Sequence, residues 1–274
     1  MMLNYQYKPF KFYFVTYLIT WVALFTAAYF SYNENLAFYK YVFIFIGILI
    51  PFTVTLFMIY GSGNDELKKD FLNRLTNLKL IRPKYLLILL VIPFALFLAT
   101  AISLLFGQPV EQFTLSPGFS LVGSQAVTVL IAVILAPMFE EMGWRGYGVD
   151  SLTRKGRSLL ISTLLFALLW GLWHTPLFFI KGYYQYEILQ AGLIYAVNFY
   201  VSVFPVAFLM NWLFYKNGRS IVITFLFHCV INLCSAMLQT DQFTKCIFTL
   251  ILIAISVIVL LKDKPFWADF THSS

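Results

Sequence analysis

The sequence predicts an all-α fold, a polytopic bundle of transmembrane helices. Of its 274 residues, 61% are hydrophobic and only 11% are charged, which excludes an ordinary soluble globular domain. Apolar stretches of about 18 to 25 residues, long enough to cross a bilayer, recur along the whole chain. They are continuously apolar, whereas the strands of a membrane β-barrel are about 10 residues long and alternate apolar with polar. Helices are therefore expected to satisfy the backbone inside the membrane.

Eight stretches have the length and composition of a membrane-spanning helix. In chain order they cover 12–31, 40–60, 84–106, 121–142, 158–180, 188–214, 219–238 and 244–262. The connections between them are short, so residues 1–274 are predicted to form a single integral membrane domain.

The basic residues are distributed unevenly between the two ends of these spans. With the N-terminus inside, 16 of the 19 basic residues, Arg154 and Lys155 among them, fall in cytoplasmic segments. Only Lys40, Lys181 and Lys245 fall outside, which fits the positive-inside rule and predicts that both termini are cytoplasmic. Basic loops beside anionic headgroups account for the net charge of +7, so membrane lipid is an expected partner and nucleic acid is not.

The longest polar stretch, 61–84, is predicted to be an amphipathic helix on the cytoplasmic surface. Its apolar residues Leu67, Phe71, Leu75 and Leu78 recur at helical spacing. A solvated connector with incidental apolar residues is the alternative.

Very few ionisable residues remain inside the predicted spans. Glu140 and Glu141 are predicted to end the fourth span, His174 lies in the fifth, and His228 lies in the seventh. The third histidine of the chain, His272, is in the C-terminal tail. Because ionisable groups inside a membrane are costly, these residues indicate a functional site.

Helical spacing indicates how the acidic residues are oriented. At about 100° per residue, Glu140 and Glu141 point in different directions, whereas Glu141 and Arg145 are four residues apart and share a face. We therefore expect Glu141 to pair with Arg145 and Glu140 to face the interior of the bundle.

The same spacing of four recurs at both histidines. Trp170 precedes His174 by four residues, and His228 precedes Asn232 by four. Side chains from three spans can thus converge, those of Glu140, His174, His228 and Asn232. Each residue alone also fits a structural role, as an ion pair, an interhelical hydrogen bond or a packing aromatic residue, so the combination is the stronger indication.

Three motifs in order resemble those of one family of intramembrane proteases. "EEMGWR" (140–145), "WGLWH" (170–174) and "HCVIN" (228–232) are similar to the E-E-x-x-x-R, aromatic-x-x-x-H and H-x-x-x-N motifs of the CAAX protease and bacteriocin-processing family, also called Abi. The resemblance covers 121–240, which we take as the motif-bearing catalytic core. The second motif of the family usually opens with phenylalanine, where this chain has Trp170.

The resemblance implies hydrolysis of a peptide bond in a membrane-associated protein or peptide, in the plasma membrane of a bacterium. Glu140 would act as general base for water, and His174 could share that task. His228 and Asn232 could donate hydrogen bonds to the tetrahedral oxyanion. The implied catalytic residues are Glu140, Glu141, His174, His228 and Asn232, with Arg145 and Trp170 in support.

The family resemblance leaves two chemistries open. As a metalloprotease, the chain would hold zinc through Glu140, His174 and His228, with water in the open position. A metal-free mechanism would use glutamate alone to activate water. Asn232, a poor zinc ligand and a good oxyanion donor, favours the metal-free mechanism.

Other functions use the same residues differently. Relatives of this family trim prenylated CAAX proteins or are linked to bacteriocin maturation and immunity. A non-enzymatic immunity or scaffold protein would need only a binding surface and would tolerate loss of Glu140. A proton-coupled transporter could also bury glutamates and histidines, but broken helices or repeated halves would then be expected.

Overall fold

The computed structural model describes residues 5–153 and 157–268, and this part of the chain confirms the predicted all-α bundle. Besides helices, it contains an isolated β-bridge between Leu115 and Leu238. Arg154, Lys155 and His272 lie outside the described residues. The helices are α1 (Pro9–Ser31), α2 (Ala37–Tyr60), α3 (Asp65–Thr76), α4 (Val91–Leu104), α5 (123–153), α6 (Leu159–Trp173), α7 (Tyr184–Ala191), α8 (Leu193–Lys216), α9 (Ile221–Met237), α10 (Gln242–Lys262) and α11 (Lys264–Ala268).

Seven helices of the described chain are long and apolar enough to cross a membrane. They cover Pro9–Ser31, Phe38–Tyr60, Pro83–Leu104, Ala126–Thr153, Leu159–Phe179, Leu193–Lys216 and Gln242–Lys262. The eighth predicted span corresponds to α9, an apolar helix of 17 residues, or about 26 Å at 1.5 Å per residue. The chain is thus an integral, multi-pass membrane protein, and the cytoplasmic location of its termini stays a prediction.

The polar stretch 61–84 contains a shorter helix than the spacing predicts. Asn64 begins α3 by accepting a hydrogen bond from the backbone N–H of Leu67 at 2.9 Å. Leu67 and Phe71 are buried against the main core. Leu78 lies beyond α3 in a separate 3-10 turn and is 64% exposed, so the amphipathic helix ends before it.

The helix α5 continues well past the end that hydropathy predicts. The apolar run ends at residue 142, but helical structure extends to Thr153, so the prediction that Glu140 and Glu141 end the fourth span is wrong. Polar residues such as Arg145 ended the run in the sequence. In the structure Glu141 on the same helix and Asn211 on α8 bind the guanidinium of Arg145, so the helix continues through it.

Glycine lets α2 approach α5 next to the glutamates. A Cβ atom on Gly143 would lie 2.6 Å from the backbone carbonyl carbon of Pro51. The hydroxyl of Thr55 donates to the carbonyl oxygen of Gly143 at 2.9 Å. This contact holds α5 against the core, where Trp144 and Phe166 are fully buried.

Candidate active site

The two glutamates lie between two π-helical turns of α5. The turns cover Ile131–Leu135 and Trp144–Gly148, and the α-helical piece between them, Ala136–Gly143, carries Glu140 and Glu141. A π-helical turn inserts one residue into a helix and is frequent at functional sites. Each turn rotates the helix beyond it relative to the glutamates, which a uniform 100° per residue does not describe.

Glu141 is fully buried and is bound by a guanidinium and an imidazole. Nη1 of Arg145 lies 2.9 Å from both carboxylate oxygens, which confirms the predicted pair. Nδ1 of His228, on α9, lies 3.0 Å from Oε1. Because an ionised carboxylate can only accept, Nδ1 carries a proton, and Nε2 is the ring nitrogen left for other partners.

Arg145 is itself fully buried and has partners on two more helices. Its Nη2 donates to Oδ1 of Asn211 at 3.3 Å, and Nδ2 of Asn211 donates to the hydroxyl of Thr163 at 3.0 Å. The guanidinium also lies 4.7 Å from the ring centroid of Phe166 and 5.4 Å from that of Trp170, within range of a cation–π interaction. Sequence reasoning missed Asn211, although a polar amide inside an apolar span was a usable signal.

Glu140 has a different environment from its neighbour. Its Oε2 accepts a hydrogen bond from the indole N–H of Trp170 at 2.9 Å. Among the residues that the structure describes, Oε1 has no hydrogen-bond partner, and the residue is 7% exposed. Glu140 therefore has a carboxylate oxygen available for water.

Trp170 lies between the two histidines. Its ring centroid is 5.9 Å from that of His174 and 5.5 Å from that of His228. Nδ1 of His174 lies 2.7 Å from the carbonyl oxygen of Trp170. A carbonyl can only accept, so His174 also carries its proton on Nδ1 and, as a neutral ring, presents the lone pair of Nε2.

Asn232 lies on the same helix as His228 but binds the backbone of α5. Its Nδ2 donates to the carbonyl oxygen of Ala132, in the π-helical turn before the glutamates, at 2.8 Å. The expected convergence of its amide on Glu140 and His174 is not among the described contacts. One N–H of Nδ2 is left over, so the oxyanion role of Asn232 stays a prediction.

Tyr183 is a further polar residue near the site, and no motif pointed to it. It lies between the spans, and Tyr183 and Phe139 pack against the same apolar cluster. Burial raises the pKa of Tyr183 to about 12, and the negative charge of Glu140 acts in the same direction. The phenol therefore keeps its proton at neutral pH and can donate a hydrogen bond.

The candidate site contains the types of donor atom that zinc prefers, but these atoms are not arranged to bind one ion. Two imidazole Nε2 atoms and a carboxylate oxygen form a ligand set that zinc uses. Yet within 5–153 and 157–268, no three His, Cys, Asp or Glu side chains are grouped so that they could hold a metal ion. Glu140, His174 and His228 do not fit a metal in this arrangement, and the zinc expectation stays a prediction.

Adjacent carboxylates and two histidines inside an apolar helical bundle are groups that an intramembrane protease needs, and two comparisons identify the family. Residues 122–234, which contain all three motifs, match the family described as Rce1-like, type II CAAX prenyl endopeptidase. The chain is also 38% identical over 270 residues to CAAX prenyl protease 2 of Methanococcus maripaludis, covering 98% of this chain and 99% of that protein. The chain belongs to the Rce1-like CAAX prenyl endopeptidase family.

Membership of this family confirms the predicted resemblance and the enzyme class. The chain is a CAAX-type intramembrane protease with endopeptidase activity. The scaffold and transporter alternatives are set aside on the same ground. Its substrate is a membrane-associated protein.

Proposed function

We propose that the chain cleaves a peptide bond near the C-terminus of a prenylated protein, using water activated by Glu140 and His174. One observation carries this proposal: Glu141 is fully buried with both oxygens beside the Arg145 guanidinium, whereas Oε1 of Glu140 has neither a hydrogen-bond nor an ion-pair partner in the described chain. A general base must be able to reach its water, and this condition favours Glu140.

The protons can be followed through the proposed reaction. Glu140 takes a proton from water, and the resulting hydroxide attacks the carbonyl carbon of the scissile peptide bond. The protonated Glu140 then gives its proton to the leaving amine as the C–N bond breaks. His174 positions the water by accepting its second hydrogen at Nε2.

The oxyanion formed by this attack needs hydrogen-bond donors. With Nδ1 bound to Glu141, His228 donates a hydrogen bond from Nε2 in its doubly protonated form. The remaining N–H of Asn232 is the second proposed donor. Removing one such donor lowers kcat by about 10²- to 10³-fold in well-studied hydrolases.

The substrate class rests on the names of the relatives and on one surface feature. The relative is named a CAAX prenyl protease, and prenylation attaches a hydrocarbon chain to the substrate. An apolar cavity of about 280 Å³ opens between α6 and α8, next to Trp170. Its lining consists of Ala167, Leu168, Gly171, Leu172, Tyr200 and Phe204. We assign this cavity to the hydrocarbon chain; bacteriocin processing has no comparable observation in its favour.

The experiment compares two peptides and two variants of the enzyme in lipid nanodiscs. A peptide ending in a CAAX sequence is supplied with and without a farnesyl group, and mass spectrometry identifies the cleavage products. We expect the wild type to cleave the farnesylated peptide, Glu140→Ala to be inactive, and Glu187→Ala, an exposed control on α7, to match the wild type.

Two further results decide the finer points of this proposal. Equal cleavage of both peptides would show that the enzyme does not require a prenyl group. Zinc that co-purifies with the wild type, but not with His174→Gln or His228→Gln, would favour the metalloprotease chemistry over the metal-free one. Activity retained by Glu140→Ala would contradict the assignment of the general base.

A further inference from the structure

Four charged side chains form a cluster at the end of α5 away from the glutamates. This ion-pair cluster consists of Asp70 and Arg74 of α3, Asp150 of α5, and Arg219, which precedes α9. Nε of Arg74 lies 2.8 Å from Asp70, and its Nη1 lies 3.3 Å from Asp150. Arg219 lies 2.9 Å from both oxygens of Asp70 and also pairs with Asp150. The cluster therefore joins α3 and α5 to the segment that precedes α9, and these three parts are distant in sequence.

Arg74 also binds the backbone of the second π-helical turn. It is 1% exposed, and its two terminal nitrogens donate to the carbonyl oxygens of Arg145 at 2.7 Å and Gly146 at 3.0 Å. Buried carbonyl groups need a donor, and an arginine can serve two of them at once because its guanidinium is a rigid fork. Arg74 thus fixes the backbone of the residue whose side chain holds Glu141.

Arg219 makes the corresponding connection to the histidine helix. It lies two residues before α9, which carries His228, and adopts a left-handed backbone with φ of 66°. Burial lowers the pKa of the Arg219 guanidinium, but the negative charges of Asp150 and Asp70 outweigh it and hold that pKa well above its ordinary value. Arg219 stays charged and bound to both aspartates at neutral pH.

We propose that the ion-pair cluster positions Glu141 and His228 relative to each other, with Arg74 as a positioning residue that acts through the backbone of Arg145. The proposal rests on the proposed function, because it concerns His228, which is assigned to oxyanion stabilisation, and Glu141, which binds it. It gives α3, which lies outside the three motifs, a specific part in the reaction.

A general contribution to stability is the competing explanation of the cluster. Buried ion pairs are weak indicators of stability, because their desolvation offsets much of their attraction. Here Arg74 binds two carbonyl groups of α5 and Arg219 lies at the start of α9. These contacts fix the distance between the helix of Glu141 and the helix of His228. The two explanations differ in what happens to His228 in a variant that still folds.

The test uses Arg74→Lys and Arg74→Ala, with the exposed Arg82→Ala as a control on the same connection. Lysine keeps the charge but presents a single nitrogen, so it cannot replace both carbonyl contacts. We expect kcat on the farnesylated peptide to fall about 10-fold for Arg74→Lys and about 100-fold for Arg74→Ala, with KM changed less than about threefold. Arg82→Ala should leave both constants unchanged.

Nuclear magnetic resonance of ¹⁵N-histidine gives a readout that does not depend on activity. The chain has three histidines, so His174→Gln and His272→Gln variants assign the signal of His228. We expect Arg74→Lys, folded as judged by its unfolding temperature, to shift the Nδ1 signal of His228 and leave that of His174 in place.

The outcomes separate this proposal from the proposed function. An unchanged His228 signal in folded Arg74→Lys would overturn the positioning role, whatever the activity. A loss of kcat that only follows the fraction of folded enzyme would do the same. A wild type without peptidase activity would refute the proposed function, while the shift of the His228 signal would still test the positioning.

Discussion

Glu140 and Glu141 are neighbours in the chain, but the structure gives them opposite environments. Glu141 has no exposed surface and is bound by the Arg145 guanidinium and the His228 imidazole. Glu140 is 7% exposed and is bound by the neutral indole of Trp170. Consecutive residues of a helix point about 100° apart, so one short segment can supply both environments.

This difference in environment indicates a structural role for Glu141 and a reactive role for Glu140. A fully buried carboxylate whose two oxygens lie against a guanidinium cannot reach a substrate, but it orients its partners. A carboxylate with a single neutral donor keeps an oxygen for water. Substitutions that treat the two residues alike should therefore have different consequences.

Replacing Glu140 with glutamine should have the largest effect on the reaction. Glutamine has nearly the same shape and can still accept the indole hydrogen bond of Trp170, but it cannot take a proton from water. We expect kcat to fall by about 10³-fold or more, with KM and the unfolding temperature close to those of the wild type. Steady-state kinetics and thermal unfolding in the same nanodiscs measure both. A variant that is also strongly destabilised would show that Glu140 belongs to the framework.

Replacing Glu141 with glutamine should affect both activity and stability. The change leaves the fully buried Arg145 without its counter-ion and removes the negative acceptor of His228. Breaking a buried pair from one side lowers the free energy of unfolding by about 3–5 kcal/mol. We expect kcat to fall about 100-fold through the misplaced imidazole.

The matched control for Glu141→Gln is Glu140→Gln, since both remove one charge from adjacent positions. Thermal unfolding should distinguish them clearly, with a lower midpoint for Glu141→Gln alone. Equal unfolding midpoints for the two variants would contradict the assignment of a structural role to Glu141 and a reactive role to Glu140.

Several features of this site could be predicted from local spacing. The spacing of four between Glu141 and Arg145 predicts their ion pair, because such residues share a helix face whatever the rest of the fold does. The length of the apolar stretches predicts the bundle for the same reason. These features depend on a single helix, so the sequence of that helix is enough.

Other features depend on how helices pack, and the sequence alone does not contain them. The hydrogen bond from Trp170 to Glu140 joins two helices, as does the contact of Asn232 with Ala132. The π-helical turns change the direction of side chains beyond them, which regular spacing does not anticipate. The continuation of α5 past residue 142 likewise requires partners such as Arg74, which is distant in sequence.

The smallest effect on kcat is expected from Trp170→Phe, which changes the environment of Glu140 and leaves the charged partners of Glu141 in place. Phenylalanine, the residue that usually opens this motif in the family, keeps an aromatic ring between the two imidazoles but removes the N–H that binds Glu140. A hydrogen bond to a charged carboxylate contributes about 1.5 kcal/mol or more, so we expect kcat to fall by about 10-fold and the unfolding midpoint by only a few degrees. Trp21→Phe, the same change on α1, should leave kcat as it is. A loss of kcat as large as that of Glu140→Gln would mean that the indole N–H fixes the reactive position of the carboxylate. Glu140 would then be positioned as strictly by Trp170 as Glu141 is by Arg145 and His228.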